Sequence, residues 1–204
     1  TLFNVITGFL HPTSGRILFQ GERIDGLPPH KIFHKGIVRT FQIPHELKSM
    51  TVLENLMLVP PGQSGEHIWN PWLFGFRVAR DEAKNYEKAM GVLEFVDLAH
   101  LRDEYAANLS GGQKKLLELG RTLICDPKMI LLDEPSMGLA PQLVEEIFQI
   151  VKTLNEKEGV SILLAEQNTN MALRYADYGY ILENGRVVMD GLAKDLADNE
   201  DVKE

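Results

Sequence analysis

Residues 109–115 read Leu-Ser-Gly-Gly-Gln-Lys-Lys, and residues 129–135 read Met-Ile-Leu-Leu-Asp-Glu-Pro. The first stretch places Ser110, Gly111 and Gly112 where a helix should begin. Backbone N–H groups at such a start are unpaired and the helix dipole points outward, so it suits an anion. Ordinary capping by Ser110 is the competing reading, but a cap does not require two glycines followed by Gln113. The second stretch is an apolar strand that delivers Asp133 and Glu134 to its end, with Pro135 fixing the exit. Two merely solvated acids would not need a wholly apolar Ile130–Leu132 behind them. In that setting Asp133 can hold a magnesium ion through a water, and Glu134 can orient and polarise an attacking water.

Working outward, apolar strands alternate with amphipathic helices. Gln113–Ile124 reads as a helix, Met129–Leu132 as a strand, and Pro141 sits at a first helical turn. Leu143, Ile147, Ile150, Val151 and Leu154 form a stripe of helical period, and Gly159 ends that helix before the apolar strand Val160–Ala165. A further helix, a strand over Tyr178–Leu182, an Asn184-Gly185 hairpin turn and a strand over Arg186–Met189 close the domain. Toward the N-terminus, Leu2 to Thr7 is a short helix stopped by Gly8. Arg16–Gln20 and Glu22–Ile24 pair around Gly21 as a hairpin, and Ile37–Thr40 is a strand. Thr51 caps a helix over 51–58, with Glu54 completing a capping box. Residues 60–79 break the pattern with prolines, glycines and the aromatics Trp69, Trp72, Phe74 and Phe76. The next helix carries Ala83, Tyr86, Met90 and Leu93 on one face. The expected fold is α/β, a parallel sheet covered on both faces with a helical insert at about 60–108.

Composition bounds the function. The 204 residues allow one well-buried domain plus a subdomain, and 44% hydrophobic content fits a globular chain. A net charge of -8 with scattered basic residues leaves no nucleic-acid footprint. The single cysteine, Cys125, excludes an internal disulfide framework and sits in an apolar stretch that suits an inert thiol. No apolar run approaches the ~20 residues that span a bilayer. His30, His34, His45 and His67 show no ligand spacing.

The two opening motifs resemble the signature loop and Walker B strand of an ATP-binding cassette (ABC) ATPase, the motor domain of ABC transporters. The resemblance covers essentially the whole chain and implies a P-loop NTPase core with an antiparallel β subdomain and a helical subdomain, forming a single domain over 1–204. In that family the run Thr1-Leu2-Phe3-Asn4 follows the phosphate-binding loop. The resemblance therefore implies that the first strand and that loop are absent here. The intact parent is then an ATPase, and these residues alone should not turn over ATP. Thr1 matches the threonine that touches the α-phosphate, although local sequence reads equally well as a helix cap. Gln42, in Arg-Thr-Phe-Gln, matches the Q-loop glutamine that reaches the metal or the attacking water; a solvent-facing loop glutamine is the alternative. Ser110, Gly111, Gly112 and Gln113 would address the γ-phosphate of ATP held by a partner subunit, so a working site needs two chains.

Two positions depart from the general family pattern. Ala140 stands where an aspartate is usual after Ser136-Met137-Gly138-Leu139, and Gln167 stands where most members carry the switch histidine. Both resemble the branched-chain amino-acid transporter branch, as do Gly-Ile-Val-Arg-Thr-Phe-Gln and Tyr-Ile-Leu-Glu-Asn-Gly-Arg-Val-Val. The implied cofactors are ATP and Mg2+. The implied partners are a second ABC ATPase subunit (identical or a paralogue), two transmembrane permeases and, indirectly, a periplasmic or extracellular solute-binding protein, with no nucleic acid. The implied location is the cytoplasmic face of the membrane, as a peripheral subunit. Another solute, or a soluble ABC ATPase of DNA repair or translation, is the rival, though the chain shows no coiled-coil arms, tandem cassettes or basic linkers. The Trp69–Phe76 segment reads either as a permease-facing patch or as packing within the helical subdomain.

Overall fold

The computed structural model describes residues 1–40, 46–60 and 75–199. At its centre β4 (Met129–Asp133) lies between two parallel neighbours, β3 (Ile37–Arg39) and β5 (Ser161–Ala165). The register sets Arg39 beside Leu131 and Asp133 beside Ala165. Side chains alternate across a strand, so Ile130 and Leu132 face one way and Leu131 the other. The first pair joins a large apolar cluster with Leu117, Ile124, Ile147 and Leu154. Leu131 joins Phe3, Ile24, Ile32 and Ile37 on the opposite side. Both faces of the central strand are therefore covered, which is why it reads as an unbroken apolar run.

The smaller cluster is closed by α1 (Leu2–Ile6), by α2 (Pro29–His34) and by the antiparallel pair β1 (Leu18–Phe19) and β2 (Glu22–Arg23). Gly8 ends α1 with φ +77, and a side chain there would meet the Leu27 carbonyl oxygen at 2.4 Å. Position 8 must be glycine on both counts. The larger cluster is built from α3 (Val52–Met57), α4 (Gly75–Phe95), α5 (Gly111–Leu123) and α6 (Pro141–Glu158). Thr51 and Glu54 form the expected capping box on α3, at 3.2 and 2.7 Å. Gly159 adopts the left-handed C-cap that stops α6.

Two helices turn differently from the sequence pattern. On α4, Ala89 and Leu93 are buried, followed by Val96 just past its end, whereas Ala83 and Tyr86 are exposed. Val92 and Val96 lie against α5 beside Gly120. In the first half of α4 Val78 is buried while Phe76 is 85% exposed; Trp69, Trp72 and Phe74 lie outside the described residues. On α6 the buried stripe is Val144, Ile147, Phe148, Val151 and Leu154, with Leu143 and Ile150 only half-buried.

After α7 (Thr169–Tyr175) the chain makes the antiparallel pair β6 (Tyr178–Glu183) and β7 (Arg186–Leu192), turned by Asn184 and Gly185 at φ 48 and 77. A last helix, α8 (Ala193–Asp198), was not apparent in the sequence. It is short and mostly polar, but Ala193 and Leu196 are buried, and Leu196 fills the space a side chain on Gly179 would need. No described helix is long and apolar enough to cross a membrane. The Cys125 thiol donates to the Arg121 carbonyl, and burial pushes its pKa up to about 11, so it is not a thiolate at neutral pH.

Candidate functional site

Asp133 is the last residue of β4, and its carboxylate, 20% exposed, accepts an ion-paired hydrogen bond from Arg39 at 2.7 Å. The chain leaves the strand through Glu134, which holds a left-handed φ of 48. An L-residue other than glycine pays roughly 1–2 kcal/mol for that conformation. Its N–H donates to the Ala165 carbonyl at 2.9 Å, which fixes the turn against the end of β5. The Glu134 side chain then meets Gln167, whose amide nitrogen donates to Glu134 Oε1 at 2.8 Å. A carboxylate only accepts, so the amide must present its nitrogen here. Asp133, Glu134 and Gln167 are thus brought to one edge of the sheet.

Two further residues join them. Ser136 donates its hydroxyl to Glu166 Oε1, linking the loop after β4 to the loop after β5. Burial pushes the Glu166 carboxyl above its ordinary range. The Glu134 charge adds to this, while Ser136 pulls the other way by hydrogen bonding. The second Glu166 oxygen is buried and has no hydrogen-bond partner among the described residues.

The N-terminus of α5 is built locally. Gln113 donates its N–H to the Ser110 hydroxyl at 3.3 Å, and Ser110 donates its N–H to Gln113 Oε1 at 2.9 Å. Gln113 therefore has a reason to be there beyond any ligand, as the third helical residue of a capping box. The glycines differ. A side chain on Gly111 would meet nothing within 4 Å, whereas one on Gly112 would run into Leu143 Cδ1 at 2.3 Å. Gly112 is bare because α6 packs on it, and Gly111 presents open backbone. One turn on, Lys114 pairs with Glu46 at 3.1 Å. Burial opposes ionisation of Glu46, but a backbone hydrogen bond and Lys114 outweigh it and hold its pKa low.

Thr1 stands at the N-cap of α1 and makes no side-chain capping bond, which leaves its hydroxyl exposed. Gln42 lies outside the described residues. No group of three or more His, Cys, Asp or Glu side chains that could cage a metal occurs among the described residues. Asp133 and Glu134 supply hard oxygen donors at one edge, which suits magnesium held by one or two carboxylates together with nucleotide phosphates. Arg39 and Glu166 were not singled out from sequence, and Leu143 was read only as part of a helical stripe. A charged residue inside the short apolar strand Ile37–Thr40 was the available signal for Arg39.

Comparison with known proteins places these features in a family. The sequence profile described as "ABC transporter" matches residues 1–137. The "Probable branched-chain amino acid transport ATP-binding protein LivG" of Archaeoglobus fulgidus is 42% identical over 204 residues, covering 100% of this chain and 78% of that protein. The "High-affinity branched-chain amino acid transport ATP-binding protein BraF" of Pseudomonas aeruginosa is 35% identical over 208 residues, covering 99% and 79%. Among solved structures, a nucleotide-free ATP-binding cassette from an ABC transporter superposes with TM-score 0.80 at 40% identity, covering 100% of this chain and 81% of that one.

Proposed function

This chain belongs to the ABC transporter family, and we propose that it is the ATP-hydrolysing subunit of an importer for branched-chain amino acids. The observation that carries the chemistry is the Glu134–Gln167 hydrogen bond beside Asp133 at the end of β4. Glu134 is the base that orients and deprotonates the attacking water. Gln167 holds that carboxylate in place and turns its amide to the γ-phosphate when nucleotide is bound, a contact that never titrates. Asp133, with Gln42, would hold nucleotide-bound magnesium indirectly, and that ion would supply charge neutralisation on the phosphates. Thr1 faces the α-phosphate. Ser110, Gly111, Gly112 and Gln113 cap the γ-phosphate bound by a second ATPase subunit, head to tail.

Residues 1–204 act as one domain, with a helical subdomain over about 60–108. The subunit sits at the cytoplasmic face of the membrane, paired with two permeases and served by a solute-binding protein. The names of the relatives support the solute, because both LivG and BraF are branched-chain amino acid transport proteins. The test is uptake of radiolabelled leucine, isoleucine and valine into proteoliposomes. These carry the cognate permeases, the binding protein and a cassette in which a phosphate-binding loop precedes Thr1. ATP-driven uptake of all three, lost in Glu134→Gln, is the expected result. ATP turnover stimulated only by a different class of solute would overturn the solute assignment and leave the ATPase reading intact.

A further inference from the structure

Arg39 closes β3 with its side chain turned inward, 12% exposed, between α1 and the end of β4. One end of its guanidinium, Nη2, donates to Asp133 Oδ2 at 2.7 Å. The other, Nη1, donates to Asn4 Oδ1 on α1. The ring of Phe3, also on α1, lies 5.5 Å from the guanidinium carbon and supports it from one face. One permanently charged fork thus spans α1, which Thr1 caps, and β4, which ends at Asp133. The pairing joins residues 35 and 94 positions apart in sequence, so it exists only once the sheet has formed.

A short carboxylate at a strand end has rotamers to choose from, and a single charged hydrogen bond to one oxygen selects among them. We propose that Arg39 is a positioning residue for magnesium-dependent ATP hydrolysis: it locks the Asp133 carboxylate and ties the start of α1 to it in fixed register. The inference rests on the reading of Asp133 given above. Both arms of the Arg39 guanidinium are turned to protein side chains. Its effect runs through Asp133 on one arm and Asn4 on the other. Geometry rather than charge is the operative property, because a nearby cation by itself would repel the metal.

The test uses a cassette in which a phosphate-binding loop precedes Thr1, as Arg39→Met, Arg39→Lys, Asn4→Ala and Asp133→Asn variants. Two quantities are read. One is the affinity for Mn2+ in the presence of ADP, from the free-ion electron paramagnetic resonance signal. The other is the steady-state pair kcat and KM for ATP at saturating magnesium. Arg39→Met should weaken Mn2+ binding several-fold and lower kcat about tenfold, with KM for ATP held within threefold. Arg39→Lys should behave like Arg39→Met, because one ammonium cannot reproduce the fork. Asn4→Ala, which keeps the Asp133 pair, should show a smaller shift in the same direction, and it decides the matter if Arg39→Met does not fold. Unchanged or tighter Mn2+ binding in Arg39→Met, or full rescue by lysine, would overturn the positioning role. Unchanged Mn2+ binding in Asp133→Asn would instead remove the reading of Asp133 on which the inference stands.

Discussion

At the end of β4 each functional side chain is tied to a residue distant in sequence: Asp133 to Arg39, Glu134 to Gln167, Ser136 to Glu166. At the start of α5 the ties are local, Ser110 and Gln113 holding each other three positions apart. The carboxylate geometry is therefore a property of the assembled sheet and its two exit loops. The α5 start would form on any helix that opened with the same residues, because its capping box needs no other part of the fold. In the proposed head-to-tail arrangement this difference makes sense. One end builds a rigid chemical site for its own nucleotide, and the other offers a preformed cap to a nucleotide held elsewhere.

In a cassette in which a phosphate-binding loop precedes Thr1, Glu134→Gln is the sharpest way to break the β4 end. The amide keeps an acceptor for Gln167 but loses the basicity that activates water. Turnover should fall by about 10²–10⁴ while ATP binding and ATP-dependent dimerisation on gel filtration persist. Parent-like turnover would remove Glu134 from the chemistry. Gln167→Ala comes next. It deletes a hydrogen bond to a charged partner, worth roughly 1.5–3 kcal/mol, so turnover should drop about ten- to hundredfold. Gln167→His should retain activity and acquire a pH dependence between about 5.5 and 7.5, because imidazole gains its charge as pH falls through its pKa. A pH–rate profile of the three proteins at saturating ATP checks both statements.

The α5 start is sharpened by its glycines. In Gly112→Ala the new methyl must displace Leu143, so the unfolding free energy should fall by about 1 kcal/mol. Adding Leu143→Ala should cost less than the sum of the two single changes. Gly111→Ala has open space and should leave stability within about 0.5 kcal/mol, while weakening ATP-dependent dimerisation. Urea unfolding of the four proteins separates the cases, and equal losses at 111 and 112 would contradict the packing role of Leu143.

The smallest effect belongs to Glu166. Its folded pKa lies above the ordinary value of 4.5, burial being the main cause. The folded state therefore binds the proton more tightly than the unfolded chain does. This stabilisation is complete below the ordinary value and is lost as pH rises through the folded one. The groups acting on it are Glu134, Ser136 and Lys115. Glu166→Gln cannot titrate, so its urea midpoint should fall less between pH 4.5 and neutrality than the parent's; parallel curves would speak against a buried, proton-binding carboxyl.

What was legible in the sequence follows the same division. The capping box at Thr51, the stops at Gly8 and Gly159, and the Asn184-Gly185 turn are written in adjacent residues and were read there; the box at Ser110 is equally local, but Gln113 was read as a nucleotide contact instead. The face of α4 was not, because its packing against other helices decides which side is buried. Gly112 looked like a phosphate contact alone, since nothing local reveals that Leu143 takes its side-chain space. Arg39 was passed over because its meaning depends on Asn4 and Asp133 converging on it. The placement of Glu134 beside Gln167 was implied by family resemblance, but its left-handed backbone was invisible: glutamate carries no preference for that conformation.

That backbone sets a limit on engineering. A designer seeking a more heat-resistant protein would look first for non-glycine residues at positive φ and replace them with glycine or asparagine, recovering something like 1 kcal/mol at each. At Gln20, Asp97 and Asp126 such a change meets no functional objection raised by this structure. At Glu134 the same change would delete the proposed base. A library screened for thermal tolerance alone should therefore drift toward inactive variants at that one position, so the screen needs an activity counter-selection to hold glutamate there.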